Sequence, residues 1–266
     1  MSIQEIIAPL GHTIIALSEP PTNGSDSQAW STYLNNVSSA LEQRGAILIA
    51  PFSNVDDAQE FAAQASIDTN YRIVAACYHG ADDQLSEIAA SVAAAFADSN
   101  DPAVPFNNYN LPGLNPVEPQ YDLLNERIEA ALSAGVCMLR TGPDGVPEII
   151  RAICTYQNNA ETGEPDGLLP DINGALILDY VRKVVRAAVR ANGRRKNTAR
   201  ERKNLRSLIL VELLKLEEAE ILQNVRERAN ELVVAEDTTD RSRVNVKIPA
   251  DWVRGMHVIA AQLDVY

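Results

Sequence analysis

Three short apolar runs, TIIALSEP from Thr13, AILIAPF from Ala46 and YRIVAACYH from Tyr71, alternate with segments of helical periodicity. That alternation constrains the fold more than any other feature of the chain. A strand that is apolar along its whole length has both faces covered, and strands joined through helices run parallel. Between the first two runs lies PTNGSDS, a loop of turn formers and N-cap residues. From Gln28 to Arg44 the residues Trp30, Tyr33, Leu34, Val37 and Leu41 recur at helical spacing, and Gly45 closes the helix. Further helices are expected over Asp56–Ala65 and over the alanine-rich stretch Asp82–Ala97. Asp56-Asp57 and Asp82-Asp83 are expected as acids at helix N-termini rather than metal ligands. The expected fold is α/β, a mostly parallel sheet with helices on both faces. Aromatics are only 5% of 266 residues, so its core must be aliphatic.

The pattern changes at Asp101. DPAVPFNNYNLPGLNPVEPQY holds five prolines and reads as a long irregular connection. A helix over Tyr121–Ser133 follows, then a hairpin, VCMLRTGPDGVPEIIRAICTYQ, turning at Gly142-Pro143-Asp144-Gly145. Another helix is expected from about Asp171 to Ala191. GRRKNTARERK is then a break or an exposed helix start. Over Asn204–Asn224, Leu205, Leu208, Ile209, Val211, Leu213, Leu214 and Leu216 exceed one helical face, so both sides of that helix are expected to be covered. ELVVAED, RVNVKIPADWV and HVIAAQLDVY are strand-like. The last, ending at Tyr266, is expected either to complete its own sheet or to offer an unpaired edge to another chain.

Charge is uneven. The chain carries −13 overall, but Arg182–Arg206 holds eleven Lys/Arg against one acid, Glu201, leaving −23 on the rest. Arg182, Arg186 and Arg190 fall at i, i+4, i+8, on one stripe of a helix whose opposite stripe is Leu178, Val181, Val185 and Val189. Lys183, Arg194, Arg195, Lys196, Arg200, Arg202 and Lys203 extend the field. The segment reads either as a solvated face or as a contact for an acidic partner. An acidic whole without interleaved aromatics argues against nucleic acid, although a nucleic-acid role for residues 182–206 stays open as a rival.

Signals for chemistry are sparse. The histidines are His12, His79 and His257, and no Gly-x-Ser-x-Gly supplies a nucleophile. No Gly-rich phosphate loop follows a strand, so no cofactor is expected. His79 ends a strand, where sites of α/β sheets lie, and this keeps a flavodoxin-like enzyme or small-ligand binder as the other rival. Cys77, Cys137 and Cys154 lack metal or redox spacing and read as reduced core thiols. No run of 18 apolar residues is present and no secretory pattern opens the chain, so no membrane insertion is expected.

Several ordered motifs resemble the sheath proteins of contractile phage tails, particularly the Mu-like group, and the related sheaths of pyocins and contractile injection systems. They are Asp101-Pro102-Ala103 with Leu111-Pro112-Gly113; Ala134-Gly135-Val136 with Arg151-Ala152-Ile153-Cys154-Thr155-Tyr156-Gln157; Asp171-Ile172-Asn173 with Leu178-Asp179-Tyr180-Val181-Arg182; and Val246-Lys247-Ile248-Pro249-Ala250-Asp251-Trp252-Val253 with Val258-Ile259-Ala260-Ala261. The resemblance covers residues 101–266; residues 1–100 match in topology, as a subtilisin-like layer without catalytic residues.

The resemblance implies a structural, non-enzymatic subunit of a virion tail, synthesised in the host cytoplasm. Such subunits form a cylinder around a tail tube and contract to drive it through the host envelope. Implied partners are other copies of the chain, the tail tube protein, and baseplate and tail terminator proteins. The implied domains are a short N-terminal arm (1–12), the α/β layer (13–100), a C-terminal domain (101–240) and a C-terminal β arm (241–266). Arg182, Lys183, Arg186, Arg190, Arg194 and Arg195 would then contact the tube or a neighbour. Val258, Ile259, Ala260, Ala261, Gln262, Leu263, Asp264, Val265 and Tyr266 would form the inter-subunit strand, with Thr238–Arg243 as a hinge. Many members are nearly twice as long, so the chain is expected to be a compact sheath or a fragment.

Overall fold

The computed structural model describes residues 3–7, 13–39, 42, 44–167 and 169–257. Its elements run in the order α1 (Ile3–Ile7), β1 (Ile14–Ala16), α2 (Gly24–Val37), β2 (Ile47–Phe52), α3 (Val55–Ala62), β3 (Ile73–Tyr78), α4 (Leu85–Asp98), β4 (Tyr109–Asn110), α5 (Asn125–Ser133), β5 (Val136–Thr141), β6 (Pro147–Arg151), α6 (Ile172–Ala191), α7 (Ala199–Glu218), β7 (Val233–Glu236) and β8 (Val244–Lys247).

Six strands form one sheet in the order β1-β2-β3-β5-β6-β4. The first four are parallel, while β6 and β4 add antiparallel at one edge. Every residue of β2 and β3 is buried, which is what their unbroken apolar character requires. Side chains alternate between two faces. Leu48, Ala50, Phe52, Ile73, Ala75, Cys77, Val136 and Met138 share one buried cluster with Trp30 and Leu34 of α2, Phe61 of α3 and Leu132 of α5. The alternate residues Ile47, Ile49, Val74, Ala76 and Cys137 look the other way, where α4 lies along β1, β2 and β3 with Ile88, Val92 and Phe96 buried. The expected α/β architecture, with helices on both faces, is the observed one.

Local capping explains the helix starts. Asn23 Oδ1 accepts from the Asp26 amide, and Asn54 Oδ1 from the Asp56 amide. α4 starts differently from the sequence expectation. Gln84 caps it in a capping box with Glu87, while Asp83 turns away and accepts from both the backbone and the side chain of Asn115. Gly135, at φ +81°, lets the end of α5 turn straight into β5. A Cβ there would meet the Thr155 backbone at 3.1 Å and the Cys154 carbonyl at 3.3 Å.

The chain divides into two compact units. One gathers the described residues up to Asn100 with Val104–Ala175 and Met256–His257; the other holds Asp101–Ala103 and Leu176–Gly255. These compact units divide inside α6, because β5 and β6 pair onto the sheet of the first hundred residues. In the second unit Ile177, Val181, Val185, Ile209, Leu213, Leu216 and Leu222 form its apolar core. Ile209, Leu213 and Leu216 are the buried stripe of α7, whereas Val211 is 49% exposed. The helix therefore buries one face, not two. Trp252 packs against this core, and Met256 is exposed.

Candidate assembly surfaces

The crevice at the carboxyl ends of β3 and β5 is where an α/β ligand site would lie. A cleft of about 430 Å³ opens there, lined by Tyr78, His79, Tyr121, Asp122 and Thr141. The irregular connection is tied over its floor. Tyr78 Oη and Thr141 Oγ1 are 2.9 Å apart, both accept from the Val117 amide at 3.1 Å, and Tyr78 donates to the Asn115 carbonyl. Tyr121 lies against Gly80, where any Cβ would overlap its ring. His79 Nδ1 accepts from the Val55 amide at the start of α3. These groups are engaged in closing the end of the sheet. Among the described residues no His/Cys/Asp/Glu group is arranged to hold a metal ion, and no helix is long and apolar enough to cross a membrane. Cys77, Cys137 and Cys154 are buried free thiols; burial pushes the Cys137 and Cys154 thiols up to about 12.

The basic segment spans the last turns of α6, a break at residues 192–198 and the start of α7, where Thr198 caps the helix through the Glu201 amide. The fold sorts its cations. Arg182 pairs with Asp179, Arg195 with Glu201 and Arg202 with Glu236. Arg206 donates to the carbonyls of Ala229 and Leu232, and Arg186 also has an interaction within the chain. Lys183, Arg190, Arg194, Lys196, Arg200 and Lys203 are exposed, and their side chains pair with no described residue. The expected Arg182–Arg186–Arg190 stripe is thus divided. On α6 the outward stripe is Tyr180, Lys183, Ala187 and Arg190, because Ile177, Val181 and Val185 set the buried face.

β7 and β8 form a two-stranded antiparallel sheet with Val233 opposite Lys247 and Glu236 opposite Val244. Its loop contains the proposed hinge Thr238–Arg243, yet hydrogen bonds close it. Asp237 accepts from the amides of Thr239 and Asp240 and from the Asn245 side chain, which holds its carboxyl below the usual range; the Asp240 amide is the largest cause. Downstream, the Pro249–Val253 motif runs alongside residues 221–224, just after α7. Gln223 and Asn224 donate their side-chain amides to Asp251, and Trp252 bridges Leu222.

His257 marks the root of the expected C-terminal strand, and residues 258–266 lie outside the described residues. Asn107 Nδ2 donates to the His257 carbonyl, so its Oδ1 faces the ring and receives Nδ1–H at 2.8 Å. Nε2 stands 3.4 Å from Asp171, which Arg151 grips with two bonds of 2.8 and 3.0 Å. Burial lowers the imidazole pKa below its ordinary value; Asp171 opposes the shift and Arg151 adds to it. A lowered histidine pKa means that the unfolded chain takes up protons first. The anchor therefore contributes fully above about pH 6.5 and weakens as pH falls below it. An NMR titration of His257 is expected to give a pKa under that of a free imidazole; a value above it would show that Asp171 outweighs burial. Sequence reading missed this cluster, whose members are as far apart as 150 positions.

Two family models match the chain: one described as phage tail sheath protein central domain over residues 12–155, the other as phage tail sheath C-terminal domain over residues 164–265. No curated protein matches. Among solved structures, the chain is similar to the sheath tail protein of Desulfitobacterium hafniense, with 16% identity and a TM-score of 0.68 over 95% of this chain and 56% of that one. It is also similar to the sheath tail protein of Listeria innocua, with 13% identity and a TM-score of 0.71 over 93% and 55%. The helical sheath of the anti-feeding prophage in its contracted state matches with 15% identity and a TM-score of 0.66 over 98% and 72%. The chain spans a little over half the length of the first two.

Proposed function

The chain belongs to the phage tail sheath family, and from that membership we propose that it is a structural subunit that polymerises around a tail tube and contracts to drive the tube through a host envelope. The observation that carries this reading is the ordered match of both sheath domains, reaching from residue 12 to residue 265. The subunit catalyses no reaction and needs no cofactor. In support, His79, Tyr78 and Thr141 are engaged in structural hydrogen bonds at the one place where an α/β site would lie. Its partners are other copies of itself, the tail tube protein, and baseplate and tail terminator proteins, in a virion tail assembled from subunits made in the host cytoplasm. Val258–Tyr266 adds as a strand to a neighbour's sheet, since strand addition combines main-chain hydrogen bonds with side-chain pockets. Lys183 and Arg190, outward on α6, face the tube.

Negative-stain electron microscopy of the purified chain, alone and with tail tube, tests the proposal. Hollow cylinders of fixed diameter are the expected result, with tube density inside when tube is supplied. Lys183→Glu with Arg190→Glu should leave cylinders intact and empty them of tube. A monodisperse monomer under every condition, with and without tube, would overturn the function; normal tube filling by the variant would remove the tube contact from α6.

A further inference from the structure

Four of the cations left outward-facing by the fold lie close together in sequence, at the break before α7 and the start of that helix. Arg194, Lys196, Arg200 and Lys203 are exposed, and none pairs with a described residue. Arg200 lies in the first turn of α7 and Lys203 at the start of the second, beside the positive end of its helix dipole, where acids are normally favoured. Glu201, the single acid there, is paired with Arg195. Concentrating cations at a helix N-terminus opposes stability within the chain, and a strongly negative partner would offset that cost.

A surface of that kind exists on the same chain. β1, β2, β3 and β5 are parallel, so the segments leaving them emerge at one end of the sheet. The connection at 115–127 is held there by the Val117 bonds to Tyr78 and Thr141. Residues 17–26, 53–60, 79–87, 115–127 and 140–146 together hold twelve Asp/Glu and two Lys/Arg, a local balance of −10. Both cations are engaged, Arg127 with Asp56 and Arg140 with Glu148. Glu60, Asp82 and Asp122 are exposed.

We propose that the basic corner Arg194–Lys203 of one copy docks on the acidic sheet end of a second copy. The proposal rests on the self-assembly reading above and names one contact within it. Two different patches meeting make a heterologous contact, which repeats into rings or helices rather than closing as a dimer. Such a contact is steered and held by charge, and salt screens it, with a Debye length of about 8 Å at 0.15 M.

The test uses reciprocal charge reversal in the full chain, read by sedimentation velocity and negative stain at low and high salt, with circular dichroism confirming folding. Variant one carries Arg194→Glu, Lys196→Glu and Arg200→Glu; variant two carries Glu60→Lys, Asp82→Lys and Asp122→Lys. Wild type is expected to self-associate more at low salt. Each variant alone should lose self-association by at least about 100-fold, because like charges then face each other. Mixing the two should restore it, since every contact in an alternating assembly again joins opposite charges. Wild type that stays monomeric at all salts overturns the contact. So do variants that assemble normally alone, and a mixture that fails to recover. Salt-sensitive binding of duplex DNA by wild type without self-association would overturn it in favour of a nucleic-acid partner. Cylinders formed equally by wild type and both variants would remove this contact while leaving the sheath reading intact.

Discussion

A chain that ends at His257 is expected to fold, to melt like the full-length chain, and to form no cylinders. The deletion removes none of the described strands, helices or buried clusters. The His257 root stays held by Asn107 and Asp171, so the α/β unit keeps its edge contacts. What is lost is a nine-residue segment, Val258–Tyr266, of apolar strand composition. If it adds to a neighbour's sheet it supplies about eight main-chain hydrogen bonds along one edge, each worth about 0.5–1.5 kcal/mol net. That link recurs at every subunit, so its loss should abolish assembly outright. Among the described residues the two strands of the β7–β8 hairpin pair only with each other, so their outer edges pair with no other strand. Electron microscopy with matched thermal melts checks the expectation. Cylinders from the truncated chain would sink strand exchange through this segment, and a lowered melting temperature would show instead that the segment belongs to the chain's own core.

Replacing Leu34 by Ala should cost far more stability than truncating an exposed apolar residue. Leu34 is fully buried in the cluster that joins α2, α3 and α5 to the sheet. A leucine truncated at such a site costs about 2–5 kcal/mol, from lost transfer energy and the cavity left behind. For a unit of this size each kcal/mol lowers the melting temperature by about 2–4 °C, so a fall of roughly 4–20 °C is expected. Val211→Ala is the control. Val211 is 49% exposed on α7, and its truncation should stay within about 0.5 kcal/mol. Calorimetry on both decides whether burial or residue type governs the cost. Equal shifts would mean that the apolar face of α2 does not pack into the core.

Much of the fold was legible because its signals are local. Unbroken apolar runs at Ile47–Phe52 and Ile73–Tyr78 could only be strands covered on both sides, and they are. The Gly142–Gly145 turn announced the β5–β6 hairpin, and the ordered motifs after residue 101 pointed to the family. Less legible was α7. Its apolar residues overfilled one helical face, but only Ile209, Leu213 and Leu216 became buried, since the partner surface covers one stripe. β4 went unread because two residues, Tyr109 and Asn110, carry no periodicity; only their pairing with β6 makes them a strand.

The candidate surfaces divide in the same way. Counting charges located the basic segment, because net charge is additive along a sequence. Which cations remain available was decided by the fold, since Arg182, Arg195, Arg202 and Arg206 are engaged by groups that folding brings to them. The clamp on His257 is the clearest case. Arg151 and Asp171 each open a family motif, but nothing in the sequence joins them to Asn107 or His257, and the four meet only in the folded chain. The sequence by itself determined which strands must be buried and where the charge lies, for those follow from periodicity and composition. The tertiary structure alone decided which polar groups find partners, because hydrogen bonds and ion pairs depend on distances that sequence separation does not encode.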